Sequence, residues 1–414
     1  MNREVRYPET ISAAMLASSS GDSITVYPGT YLERVTAKSG VSLYGVGYPT
    51  INASGIIGYG SSIEIAGVHD ILVQGFNIKG GASPVGWTHV EGIAIRDFAT
   101  VGGTASYNIT IRDCIFEGIT GKISDVNSLG IPLSIYSLGD TRLGHTYLHD
   151  VLVENCRFIN NNTSNQVGIT AGYINITGNS EYVTIKDCYF YHSQTEVGYT
   201  ANGINFSGNY TTAWPATPRY CRVVGCEFET PYTDTTLQQS IYLNVVHDII
   251  IERNYINGWS LGPMVAAEGG NMDEFESYNV IFRRNIIRPC IPNYALNVAS
   301  WSSFYKRCYN VWIDSNTIIG DIYLTDVNGQ GPLSGILITN NILTGNINDT
   351  DLTGEYTASH NTSDTMIKID NLYRQTPDWV VYNTQELDYN GTKQKRTRGA
   401  EEKQWIRRKP VRRY

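Results

Sequence analysis

The chain is short of charge. Asp, Glu, Lys and Arg make up 17% of its 414 residues, against about a quarter in an ordinary soluble domain. It has no unbroken apolar run long enough for a membrane-spanning helix. The N-terminal stretch MNREVRYPETISAAM has no apolar h-region, which predicts that no Sec-type leader is present. An intracellular protein fits that expectation, and so does a virion component released by lysis. There is no C-x-x-C pair and no metal-spaced Cys/His set, which argues against a zinc site. Glycine (40 residues) and tyrosine (29) are abundant instead, and 41% of the chain is hydrophobic. That is ample for a continuous core and excludes wholesale disorder.

The little charge present is unevenly placed. Residues 393–414 hold ten basic side chains, among them Arg398, Arg407, Arg408, Arg412 and Arg413, against Glu401 and Glu402, a balance of +8. Residues 1–392 keep the remaining 21 basic and 37 acidic groups, a balance of −16. An acidic body with a basic tail predicts two different partners. Nucleic acid, an anionic membrane and an acidic protein surface are all open to such a tail; the acidic body would repel nucleic acid, and attachment to a neighbouring subunit is the simplest expectation. Trp405, Ile406 and Tyr414 supply it with apolar anchors.

An eight-residue pattern recurs nine times: ILVQGFNI from Ile71, ITIRDCIF from Ile109, VLVENCRF from Val151, VTIKDCYF from Val183, CRVVGCEF from Cys221, IIIERNYI from Ile249, VIFRRNII from Val280, VWIDSNTI from Val311 and ILITNNIL from Ile336. VSLYGVG from Val41 is a degenerate earlier copy. Positions one and three are mostly apolar in alternation, as a strand with one buried face requires. Position eight is always Ile, Phe or Leu. Position six is Phe76, then Cys114, Cys156, Cys188 and Cys226, then Asn254, Asn285, Asn316 and Asn341. A residue type that persists over consecutive copies and then switches is stacking on itself. Asn amides would pair into a ladder, and Cys would fill the same inward niche as a small apolar group. Stacked rungs lie close enough for disulfides, but parallel stacking sets the Cβ vectors side by side, so the ladder thiols are expected to be free. For Cys290 and Cys308 a bridge and free thiols are equally open.

A third, shorter strand falls between copies: GIAI from Gly92, PLSIY from Pro132, GITAG from Gly168, GINFS from Gly203, SIYLN from Ser240, PMVAA from Pro263, ALNVA from Ala295 and DIYLT from Asp321. Three short strands per turn, with self-stacking columns and no 3.6-residue period, predict an all-β fold: a right-handed parallel β-helix of about ten rungs. The expected organisation is an N-terminal capping segment over 1–20 with ISAAMLA as a short helix, the solenoid over 21–345, a C-terminal capping segment over 346–392, and the basic tail over 393–414.

On these residues the chain resembles the pectin-lyase-like β-helix superfamily, which includes polysaccharide lyases, polygalacturonase-type hydrolases and phage tailspikes. VWID at Val311–Asp314 and Arg288–Pro289 are similar to pieces of the pectate lyase signature. Ser315 stands where that family has His, and no second Arg follows Pro289 at the expected spacing. The chain also lacks the Asp-Asp pair and Gly-His-Gly string of the polygalacturonase type. GWSLG at Gly258–Gly262 matches the nucleophile-elbow string around Ser260, but no helix pattern follows it. No cofactor is expected; Ca2+ would be implied only if the chain were a lyase.

Candidate site residues follow from strand geometry. Outward on the third strand lie Arg96, Tyr136, Asn205, Tyr242, Asn244, Asn297 and Tyr323, a polar, aromatic stripe suited to a glycan. The loop AEGGNMDEFES brings Glu268 and Asp273 beside the next loop, SWSSFYKR, with Trp301, Lys306 and Arg307. An acidic loop next to a basic one is where an acid/base pair would sit. Trp87, Trp214 and Trp259 fall in loops as binding elements or packed lids. The leading expectation is a virion structural and receptor-binding protein of tailspike type. It would bind a surface glycan along the solenoid, attach through its tail, and form a homotrimer as many proteins resembling it do. The alternatives are a polysaccharide lyase or hydrolase acting around Glu268 and Lys306, and a non-catalytic surface adhesin.

Overall fold

The computed structural model describes residues 1–53, 60–80, 90–97, 105–119, 130–137, 148–161, 172–193, 202–208, 216–230, 239–267, 276–291, 294–300, 308–326, 333–349, 356–363, 385–387 and 393–395. Among the described residues, three parallel sheets of 13, 12 and 11 strands wind into a β-helix. We call them sheets A, B and C. Each eight-residue copy supplies one strand of sheet A and then one of sheet B, and the short third strand supplies sheet C.

Stacking is in register. Position one of one copy lies beside position one of the next, as in Ile71–Ile109–Val151–Val183 and Val280–Val311. Position eight forms an unbroken inward column from Ile51 through Ile78, Phe116, Phe158, Phe190, Phe228, Ile256, Ile287 and Ile318 to Leu343. The four phenylalanine rings stack at 4.7, 5.0 and 4.5 Å, each contact worth about 1 kcal/mol beyond burial. Trp259 closes the column edge-on to Phe228 at 5.9 Å and is 1% exposed. It is therefore a core residue, not a surface lid. Ser260 is buried beside it.

The corner from sheet A to sheet B is turned by a single left-handed residue at position five, such as Asp113 (φ 53°), Asn155 (55°), Arg253 (56°) and Arg284 (57°). It aims position six inward. Cys114, Cys156, Cys188 and Cys226 fill that niche fully buried, with Cys156 Sγ directed at the Ile111 carbonyl at 3.6 Å. In the later rungs each amide does more. Asn285 Nδ2 donates to Ile251 O at 2.9 Å and to Asn316 Oδ1 at 3.0 Å, while its Oδ1 accepts from the Asn254 backbone N–H at 3.0 Å. The two columns are joined, because the Cys226 N–H donates to Asn254 Oδ1 at 2.8 Å. No disulfide links any of the seven cysteines, Cys290 and Cys308 included. Burial pushes the Cys221 thiol up to about 12.

Past residue 345 the three sheets continue with Ile347–Asp349, Tyr356–Ser359 and Thr362–Ser363. Asn361 takes the ladder one step further, accepting from Asn341 Nδ2 at 3.1 Å. One sheet C strand is placed differently from expectation. It runs Gly172–Gly178, with Ile174 and Ile176 beside Leu133 and Ile135, because YINIT supplies β-branched side chains at both inward positions. At the N-terminal end the helix Ile11–Ala17 covers the core with Ile11 and Met15, one turn apart on the same face. Thr10 caps it through Ala13 N–H, and Glu33 accepts from the N–H groups of Ile11 and Ser12 at 2.8 Å. No helix of the described residues is long and apolar enough to cross a membrane. In the tail, Lys393–Lys395 pairs antiparallel with Gln385–Leu387. Arg398, Trp405, Arg407, Arg408, Arg412 and Arg413 lie outside the described residues.

Candidate functional site

Glu268, Asp273, Trp301, Lys306 and Arg307 lie outside the described residues, as do Trp87 and Trp214. Among the described residues there is no cluster of His, Cys, Asp and Glu that could hold a metal ion. The seven sheet C residues of the stripe are all described, and they fall into three environments.

At the N-terminal end, Arg96 is bonded to Glu91 and lies 3.7 Å from Glu64, so its charge is committed to two carboxylates. Burial raises the pKa of the neighbouring Tyr136 hydroxyl, with Arg96 opposing. In the middle the stripe is not the open face that alternation suggests. Asn205, Tyr242 and Asn244 are only 2%, 3% and 4% exposed. The register explains part of this: Tyr242 lies beside Met264 and Asn244 beside Ala266, which is followed by Ala299. Tyr242, Met264, Ala266 and Ala299 make an apolar cluster of their own on the outer face. The outward Met and Ala of PMVAA were the signal for it. At the C-terminal end Asn297 and Tyr323 are half-buried neighbours in register. The Tyr323 ring stacks on Tyr294 at 5.1 Å, and Tyr294 is 41% exposed. The Oδ1 of Asn297 is buried with no hydrogen-bond partner among the described residues.

A second surface lies on the outer face of sheet A, and its signal sits just upstream of the repeat. The two residues before each copy read His69-Asp70, Tyr107-Asn108, His149-Asp150, Glu181-Tyr182, Arg219-Tyr220, His247-Asp248, Tyr278-Asn279, Tyr309-Asn310 and Ser334-Gly335. Where the first member of a pair is a ring, it stacks along the outside: His69 on Tyr107 at 4.7 Å, Tyr107 on His149 at 5.2 Å, His247 on Tyr278 at 4.7 Å and Tyr278 on Tyr309 at 4.9 Å. The second member turns the chain with φ between 52° and 62°. Each His donates from Nδ1 to the Asp that follows it, at 2.7–2.8 Å. The ring stack breaks at the Glu181–Arg219 ion pair. There the aromatic residue moves one place along, and Tyr182 stacks on Tyr220 at 5.3 Å.

This shift opens a groove of about 580 Å³. Tyr182 and Tyr220 line one part of it, 51% and 45% exposed, and Trp312, 41% exposed, lines another. Ile250 and Ile281 lie between them, with Asp248, Asn279 and Asn310 in a row alongside. That row is internally bonded: Asn279 Nδ2 donates to Asp248 Oδ1 at 3.0 Å and Asn310 Nδ2 to Asn279 Oδ1 at 3.3 Å. Arg222 also reaches the groove, its guanidinium held by Glu252 at 2.6 Å. Glu252 is nearly buried. Burial works against its charge, but Arg283, Arg222 and Arg253 together hold its pKa below the usual carboxylate value.

No protein-family model and no curated protein matches the sequence. Solved structures do match in shape. The chain is similar to PfbA, a surface adhesin of Streptococcus pneumoniae, with a TM-score of 0.53 and 17% identity over 85% of this chain and 86% of that one. It is also similar to a tailspike protein mutant of E. coli bacteriophage HK620 in complex with a pentasaccharide, with a TM-score of 0.52 and 14% identity. That match covers 86% of this chain and 61% of the tailspike chain. At these identities the likeness defines the fold. The protein is a right-handed parallel β-helix, as the spacing of its repeats predicts.

Proposed function

We propose that this is a carbohydrate-binding β-helix protein of tailspike type, which holds a surface glycan against the outer face of sheet C and attaches to its particle through residues 393–414. The observation that carries the reading is the Tyr294–Tyr323 ring pair beside the unpartnered Asn297 Oδ1. A pyranose stacks its C–H face on such a ring pair, and a sugar hydroxyl donates to a buried carbonyl oxygen that otherwise loses its hydration. The HK620 tailspike, whose structure holds a pentasaccharide, supports the reading by analogy of fold. The apolar Tyr242 cluster would not serve a glycan, so the site is the C-terminal part of the stripe.

Calorimetric titration with bacterial surface polysaccharides and their fragments tests this. Binding that Tyr323→Ala weakens roughly tenfold is expected. Wild-type protein that ignores every surface glycan, or a variant that binds unchanged, overturns it. The same incubations, read for new reducing ends or unsaturated products, test the lyase or hydrolase reading around Glu268 and Lys306. Deleting residues 393–414 should leave the solenoid folded and stop incorporation into the assembly.

A further inference from the structure

We infer that the groove on the outer face of sheet A is a second, separate binding site for an uncharged oligosaccharide. It is on a different sheet from the Tyr294–Tyr323 pair, and the argument for it stands without that pair.

The first observation is backbone strain. The residue before each copy is left-handed in nine rungs, and seven of the nine are Asp, Asn or Gly, which adopt that conformation readily. Tyr182 and Tyr220 are the two others, at φ 52° and 56°. A bulky side chain there is disfavoured. Both rings stand about half exposed, so core burial does not account for them. Strained residues that no packing demands cluster at binding sites.

The second observation is what surrounds those rings. Trp312 offers another exposed aromatic surface. The rungs from Tyr182 to Asn310 span about 19 Å along the axis at the usual strand spacing. Flat rings along a row of amide and carboxylate oxygens match a sugar chain, whose C–H faces need stacking surfaces and whose hydroxyls need paired donors and acceptors. A peptide would instead look for unpaired backbone groups at a sheet edge. The groove offers none, because it lies in the interior of a 13-stranded sheet.

The third observation is charge. Both ionic groups in the lining already have hydrogen-bond partners: Asp248 accepts from His247 at 2.7 Å and from Asn279 at 3.0 Å, and Arg222 donates to Glu252 at 2.6 Å. With one Asp and one Arg the lining carries no net charge, which favours a neutral glycan over an acidic or basic one. A neutral one would lose nothing.

The test is calorimetric titration of the full chain with maltohexaose, cellohexaose, mannohexaose and chitohexaose, with polygalacturonate as the charged comparison. Variants are the double substitution Tyr182→Asn with Tyr220→Asn, the single Trp312→Ala, and Tyr323→Ala on sheet C. At least one neutral hexamer should bind, and the double variant and Trp312→Ala should each weaken it roughly tenfold. The double variant should keep the wild-type melting temperature, because relief of strain offsets the lost ring contact, and Tyr323→Ala should leave this binding unchanged. The inference is overturned if no neutral hexamer binds, if polygalacturonate binds more tightly and loses that binding in the groove variants, or if the groove variants bind the neutral hexamer as the wild type does. Sedimentation that shows a dimer lost in the double variant would make the groove an interface between copies and would also overturn it.

Discussion

From Cys114 to Cys226 the corner between sheets A and B is filled by thiols, with a phenylalanine two residues on. From Asn254 to Asn341 it is filled by amides, with an aliphatic residue two residues on. The backbone does the same thing in both halves, one left-handed residue and then an inward side chain, yet the energy comes from different places. The first half relies on stacked rings and the soft packing of sulfur. The second relies on hydrogen bonds that run from rung to rung inside the core. The fold thus demands a small buried group at that corner and leaves its chemistry free, provided that neighbours agree.

The largest effect expected is on the ring column. Phe158→Ala removes a fully buried side chain stacked on both sides and should cost about 4 kcal/mol in denaturant unfolding. Ile287→Val in the aliphatic half should cost about 1 kcal/mol.

Next comes the amide column. Asn285→Ala leaves the Asn254 N–H and the Ile251 carbonyl short of a partner and should destabilise by about 3 kcal/mol. Cys156→Ala, which removes only weak sulfur contacts, should cost about 1 kcal/mol. Equal losses at the two positions would erase the distinction between the halves.

A swap probes the agreement between neighbours. Cys226→Asn places an amide next to Asn254, where it continues an existing ladder. Cys156→Asn places one between Cys114 and Cys188, where thiols flank it on both sides. The second variant should be less stable than the first by about 1–2 kcal/mol in paired melts, and the reverse order would show that the columns do not depend on continuity.

The smallest difference concerns pH. Glu154 in the first half is held below its ordinary pKa by a hydrogen bond from Lys186, with Arg112 adding to it. Glu252 in the second is likewise depressed, by three arginines working against burial. A depressed carboxylate stabilises the fold above its unfolded pKa of about 4.3, and that stability is lost as pH falls through the lower folded value. Melting curves between pH 7 and pH 3 should therefore show a flatter acid limb than the wild type's for both Glu154→Gln and Glu252→Gln, and a variant whose limb is as steep as the wild type's would remove that carboxylate from the account.

Much of the fold was legible because stacking makes each residue its own neighbour. Ile71, Ile109 and Val151 repeat as they do since they touch. Asn361 escaped notice because its copy, YTASHNTS, has Tyr, Ala and Ser at positions one, three and eight and no apolar alternation to mark it. The strand at Gly172–Gly178 escaped because GITAG and YINIT both alternate, and only pairing with Leu133 and Ile135 decides between them. The stripe on sheet C was read from parity alone. Parity tells which side of a sheet a residue takes but not what covers that side, which is why Asn205, Tyr242 and Asn244 were expected in solvent and are buried. The groove on sheet A was present in the sequence as paired residues just outside the eight-residue window. Its Tyr182 and Tyr220 become conspicuous only once the backbone angle at that position is known.

The distance between successive corner residues is 31 from Asn254 to Asn285 and again from Asn285 to Asn316, then 25 to Asn341 and 20 to Asn361. All of that variation is taken up between one corner and the next, never at the corner itself. The column of corner residues is thus a fixed hinge line on which turns of unequal length are threaded. Excision of residues 255–285 would set Asn254 directly beneath Asn316 and close the amide column with its partners unchanged. A chain built this way gains or loses length a whole turn at a time, and insertion or deletion of a turn is the natural step by which its relatives would differ.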